Sequence, residues 1–247
     1  MCSINYFEKM LENIDLKNKK ILIPYDEKGF CFLNFFKFLI ERQNYSYENI
    51  LEILEYITFY NNNSNYIFNI NIEFKKLILK YFENIDTFIL DKVLLKLFIH
   101  KNFFEHNIIR KYDLIFGILE ENKEIPNVEI SLLLKEKYND IIVENLNFDK
   151  IFFDYYILQK SLNLLKNNGI LGVVPSKLFI TKYNLKFFSK NKYYIFIFSI
   201  KENIFIFKKN RKGLSKVYFE NEYMKINNLK NFNIFYKKIL DIIKNNN

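Results

Sequence analysis

The chain has 247 residues, 50% hydrophobic and 19% aromatic, which is enough to bury a full core and excludes a disordered polymer. Its formal charge of +9 invites acidic partners, DNA among them, yet the only arginines are Arg42, Arg110 and Arg211, so a lysine excess carries the charge and raises the case for nucleic acid only modestly. Cys2 and Cys31 make no disulfide framework, His100 and His106 make no metal set, and no apolar run or cleavable leader points to a membrane, so a cytoplasmic protein with no metal is expected.

Alanine and tryptophan are absent while Asn, Ile, Phe, Tyr and Lys crowd the chain, the mark of an AT-rich coding sequence. Glycine and proline, which need GC-rich codons and have backbone roles other residues fill poorly, therefore carry more information than lysine.

In chain order, Ile21 to Ile23 reads as a short apolar strand, followed by Pro24, Gly29 and an aliphatic-aromatic helix from about Phe30 to Gln43. In SNYIFNINIEFKKLILKYF the pattern predicts a strand from about Tyr66 to Ile70 and a helix from about Ile72 to Phe82, leaving Asn69 or Asn71 at the strand end. Asp91 follows in FILDKVL, read either as a site acid or as a solvated carboxylate. KYDLIFG, residues Lys111 to Gly117, holds a buried strand over Leu114 to Phe116, and Ile118-Leu119-Glu120-Glu121 comes next. A helix from about Phe148 to Lys166 places Ile151, Tyr155, Leu158, Leu162 and Leu165 on one face. Asn168 and Gly169 mark its stop, Asn being the other residue that enters the left-handed region, and a strand over Ile170 to Val174 ends at Pro175. YYIFIFSI and NIFIFKK read as a hairpin, and Leu229 to Lys244 as a terminal helix.

The run Leu164-Leu165-Lys166-Asn167-Asn168-Gly169-Ile170-Leu171-Gly172-Val173-Val174-Pro175 resembles the late helix-strand unit of class I, S-adenosylmethionine-dependent methyltransferases, and most of all the adenine-N6 DNA methyltransferases of restriction-modification systems. The likeness spans about residues 15 to 210. It implies an α/β, Rossmann-like class I methyltransferase fold: a doubly wound, mainly parallel sheet with a C-terminal antiparallel hairpin. Residues 1–226 would form the methyltransferase-like domain and 227–247 a C-terminal helix or tail, with no target-recognition domain.

The same resemblance locates the site. The family's first motif, Asp-Pro-Ala-Cys-Gly-Ser-Gly, keeps Pro24 and Gly29, but Ile23 replaces the aspartate and Asp26-Glu27-Lys28 replace Cys-Gly-Ser. Asn69 or Asn71 stands where an acid would take the ribose hydroxyls, losing a charge-assisted bond, and Asp91 is the candidate acid near the adenine. By that resemblance, Pro24, Gly29, Asn69 and Asp91 would line an altered S-adenosylmethionine pocket. The catalytic Asn-Pro-Pro-Tyr or Asn-Pro-Pro-Phe is replaced by Ile118, Leu119, Glu120 and Glu121. Each polar contact to the target amine lost there costs about 1–3 kcal/mol.

Three functions follow: a catalytically impaired adenine-N6 methyltransferase-like remnant or structural subunit, partnered by DNA and by a specificity or methyltransferase subunit; an active methyltransferase of DNA, RNA or protein with Glu120 or Glu121 as the amine acceptor; and a non-catalytic Rossmann-like binding module.

Overall fold

The computed structural model describes residues 4–11, 14–26, 28–60, 64–98, 111–118, 124–126, 150–152, 157, 160–161, 164–174, 194–199, 204–209, 215–219 and 222–226. Strand β1 (Ile21–Ile23) is apolar and buried along its whole length, as an interior parallel strand must be. It pairs in parallel with β2 (Ile57–Phe59) through Ile21 and Ile57, and on its other side with β3 (Tyr112–Ile118) through Ile21 and Leu114. Next to β3 lies β6 (Leu165–Val174), again parallel, with Leu114 opposite Ile170. Four parallel strands in the order β2-β1-β3-β6, connected through helices, make this an α/β fold.

Beyond β6 the sheet changes direction. β8 (Ile204–Lys209) runs antiparallel to both β6 and β7 (Tyr194–Ser199) and sits between them. β7 pairs in parallel with β9 (Ser215–Phe219), and β9 antiparallel with β10 (Glu222–Ile226), completing an eight-stranded sheet. A separate antiparallel pair joins β4 (Glu124–Pro126) to β5 (Lys150–Phe152).

Among the described residues, five helices precede β3: α1 (Ile4–Leu11), α2 (Phe30–Gln43), α3 (Tyr47–Glu55), α4 (Ser64–Tyr81) and α5 (Thr87–Leu97). Two of them, α3 and α5, start on side-chain caps. Ser46 and Asn49 form a reciprocal capping box on α3, and the Asp86 carboxylate accepts from the backbone N–H groups of Phe88 and Ile89 at 2.9 and 3.3 Å on α5. α2 is buried on most of its circumference, because α1 and the sheet cover one side and α4 another. Phe35 packs with Phe7 and Phe116, ring centroids 5.4 and 4.8 Å away, while Phe32 and Phe36 both meet Phe74 of α4, at 5.1 and 4.9 Å.

Two expectations are corrected. Tyr66 to Ile70 is not a strand: it lies inside α4, where Ile70, Phe74 and Ile78 recur every fourth residue and all three are buried. Over five residues the β-favouring side chains imitate a strand; over the full element the helical period prevails. The strand beside β1 is instead Ile57–Phe59, directly after the α3 cap residue Tyr56. The helix expected over Phe148 to Lys166 is also too long. Lys150–Phe152 pairs as β5, Ile157, Lys160, Ser161 and Leu164 are helical, and Leu165 already pairs with Tyr112 as part of β6. Asn168 does adopt a left-handed φ of 66°, within an excursion where Lys166 to Gly169 stand opposite Asp113 alone. Leu229 to Lys244 lies outside the described residues.

Candidate functional site at the carboxyl end of the parallel strands

In sequence, β1 is followed by β2 on one side, and the chain then returns to place β3 on the other. Strand order therefore reverses at β1, and in open α/β sheets the crevice outside the carboxyl ends at such a point is where ligands bind. Here that crevice lies between the residues after Ile23 and the end of β3 at Gly117 and Ile118.

The loop from β1 to α2 turns its side chains inward. Pro24, Tyr25 and Asp26 are all buried, and the Tyr25 carbonyl oxygen comes so near β3 that a Cβ on Gly117 would lie 2.7 Å from it. The glycine at the end of β3 is thus required by its own neighbouring backbone. Asp26, 2% exposed, turns its carboxylate onto the start of α2, where Oδ2 accepts from the Phe32 N–H at 2.8 Å. The backbone N–H groups of Cys31, Phe30 and Gly29 also favour its ionised form, but burial outweighs them and pushes the carboxyl up from the ordinary 3.8 to about 7. A helix N-terminus is a ready-made anion site through its free N–H groups and its dipole. In this chain a side chain occupies it.

Gly29 is the N-cap of α2, with a φ of 71° and no side-chain cap. Its missing Cβ would stand 2.3 Å from Cγ1 of Ile70, so the glycine lets α4 close onto the loop. Gly29→Ala should cost about 2–3 kcal/mol, combining a left-handed alanine with a clash against a buried β-branched side chain. Chemical denaturation measures it, and a loss below about 0.5 kcal/mol would contradict the packing role.

The remaining expected site residues are dispersed. Ile23 is fully buried within β1. Asn69 is exposed on α4, since the strand expected to end there is helix, and Asp91 lies on α5, where Oδ1 pairs with Lys75 Nζ at 2.5 Å. Of the catalytic positions, Ile118 ends β3, paired with Val174, whereas Leu119, Glu120 and Glu121, like Glu27 of the loop, lie outside the described residues. Sequence reasoning missed Tyr25 and Asp26 as the groups that fill the loop. An acid just ahead of a helix start was a signal for Asp26; nothing local announces the burial of Tyr25.

At the opposite, amino end of the strands, Asp113 Oδ2 accepts from the Lys20 N–H at 3.0 Å and from Lys166 Nζ at 2.8 Å. Burial raises its pKa, but those two bonds and the charges of Lys166 and Lys19 outweigh it and hold the carboxyl below its ordinary value. This arrangement ties β3 to β1 and β6. Among the described residues, no group of His, Cys, Asp and Glu could hold a metal ion, and no helix is long and apolar enough to cross a membrane.

No protein-family model matches the sequence, and no curated protein does. Solved structures do match in shape. One is a nuclease-deletion mutant of the Type ISP restriction-modification enzyme LlaGI in complex with a DNA substrate mimic, at a TM-score of 0.57 and 14% identity over 98% of this chain and 24% of that one. A second is the ATP-dependent Type ISP enzyme LlaBIII bound to DNA, at 0.55 and 12% over 93% and 21%. A third is the methyltransferase subunit of a type I restriction-modification system from Streptococcus thermophilus, at 0.51 and 13% over 98% and 51%. The likeness is one of fold. This chain spans between about a fifth and a half of the length of those proteins.

Proposed function

We propose that this chain is a methyltransferase-like domain of the adenine-N6 restriction-modification type, catalytically impaired and retained as a structural component. The sheet supports the family reading: four parallel strands with an antiparallel β8 inserted between β6 and β7 suit a Rossmann-like class I methyltransferase, and neighbours of similar shape are restriction-modification proteins. The observation that carries the impairment is the β1–α2 loop, where the Asp26 carboxylate rests on the N-terminus of α2, Tyr25 is buried and its backbone carbonyl closes against Gly117 at the end of β3.

S-adenosylmethionine does not fit the residues present. The acid that the family pattern sets at the end of the first strand is Ile23, inside the core; the space beside Gly29 is taken by Ile70; and Asn69 and Asp91 sit on helices α4 and α5. Ile118, Leu119, Glu120 and Glu121 offer neither the amide nor the aromatic plane that holds a flipped adenine. What remains is a scaffold suited to DNA or to a specificity or methyltransferase subunit as partner.

Calorimetric titration of the full chain with S-adenosylmethionine should give no binding heat, and N6-methyladenine should not form in DNA with the protein alone. Micromolar cofactor binding would overturn the impaired reading. Product formation with the protein alone would give the amine-acceptor role to Glu120 or Glu121.

A further inference from the structure

Helices α4 and α5 turn large apolar side chains to solvent. Phe68, Ile72 and Leu79 on α4 are 67%, 37% and 55% exposed, and Phe88 and Leu95 on α5 are 75% and 72% exposed. At 100° per residue each set falls on one face of its helix. The ion pair of Lys75 and Asp91 shows that these faces adjoin, because Lys75 lies between Ile72 and Leu79 and Asp91 between Phe88 and Leu95. Single exposed apolar residues are ordinary, but a contiguous patch marks an interaction surface.

Further round each helix stand lysines: Lys76 and Lys80 on α4, Lys92 and Lys96 on α5, all exposed. Glu73 offsets Lys76 at 2.7 Å and Glu83 and Asp86 stand exposed at the α4–α5 turn, so the positive surplus of the rim rests on Lys80, Lys92 and Lys96. We propose that this face docks an acidic amphipathic helix of a partner protein, whose apolar stripe covers the five side chains and whose carboxylates meet the lysine rim. Anchors spaced along two helices suit a helix laid against them. A second copy would bring the same lysines face to face. Phe68 and Phe88 could stack two bases of a nucleic-acid strand, but three of the five side chains, Ile72, Leu79 and Leu95, offer no plane. The proposal is independent of the methyltransferase reading.

The test uses the full chain and fluorescein-labelled synthetic helical peptides with leucines at i, i+3, i+4 and i+7, flanked by glutamates in one peptide and by lysines in the other. Phe88→Ser/Leu95→Ser alters the centre and Lys92→Glu/Lys96→Glu the rim; both change exposed positions, and circular dichroism checks folding. The acidic peptide should bind at least about ten-fold tighter than the basic one, lose binding to the first variant and weaken about ten-fold against the second at low salt. Equal binding of the two peptides, or indifference to the variants, overturns the proposal. So does concentration-dependent dimerisation, or single-stranded DNA binding, that the Phe88→Ser/Leu95→Ser variant abolishes, since either outcome assigns the face to a different occupant. Should that variant fail to fold, the rim variant decides: undiminished binding of the acidic peptide refutes the docking mode.

Discussion

Truncating Phe32 to alanine should lower the unfolding free energy by about 3–5 kcal/mol, the range for removing a fully buried phenylalanine. The ring has no exposure and pairs with Phe36, Phe59, Phe74 and Phe98 at centroid distances of 5.0, 5.5, 5.1 and 5.3 Å. It therefore joins α2 to β2, to α4 and to the end of α5 at one point. Its loss removes the transfer free energy of the ring and leaves a cavity lined by other rigid rings, which collapse poorly into the space. Against a total stability of about 5–15 kcal/mol, that is a large fraction. Phe30, two residues earlier and 42% exposed, is the internal control, and its truncation should cost less than about 1 kcal/mol. Urea midpoints of the two variants measure the contrast. Equal shifts would mean that the aromatic cluster is not the centre of the core.

The second large effect is a dependence of stability on pH that Asp26 imposes. Its folded pKa of about 7 exceeds the ordinary 3.8, so between those values the native state holds a proton that the unfolded chain has released. Stability from this group is complete below about pH 4 and is lost as pH rises towards about 7, a total of roughly 4 kcal/mol for one proton held across that range. Asp26→Asn keeps a carbonyl that can accept from the Phe32 N–H but cannot ionise. The variant should be the more stable protein at pH 8, and the advantage should shrink steadily towards pH 5. Asp113, held below its ordinary value, acts in the opposite sense, its stability being lost only as pH falls through the acid range, so work above about pH 5 separates the two. Parallel stability curves for wild type and Asp26→Asn would show that the carboxyl is already ionised in the fold.

The elements legible in the sequence were those whose local chemistry agrees with their tertiary setting. Ile21–Ile23 and Phe30–Gln43 have the bounds read from the sequence, because a buried apolar run followed by Pro24 and Gly29 leaves few alternatives. The strand read over Leu114 to Phe116 lies within Tyr112–Ile118, and that over Ile170 to Val174 forms the end of Leu165–Val174. Illegible was β2, three residues that follow α3 with no glycine or proline to separate them and are strand only because β1 lies alongside. That omission moved the expected strand into α4 and carried Asn69 with it. Within the site, Gly29 reads as a glycine the loop requires, but the sequence alone does not say that Ile70 is what fills the space beside it. Burial of Asp26 is likewise a property of the folded loop, which closes its carboxyl onto the start of α2.

The interior position of β1, between β2 and β3, also orders assembly in time. Ile21 meets Ile57 after a single crossover, but its other neighbour, Leu114, arrives only after α4 and α5 have been made. Closing the shorter loop costs less chain entropy, so β1, α2, α3 and β2 form the earlier unit. Until Tyr112–Ile118 docks, the second edge of β1 is an open, apolar template for any extended chain nearby. During synthesis, that edge stays unpaired for the interval in which the ribosome delivers the residues between Phe59 and Ile118.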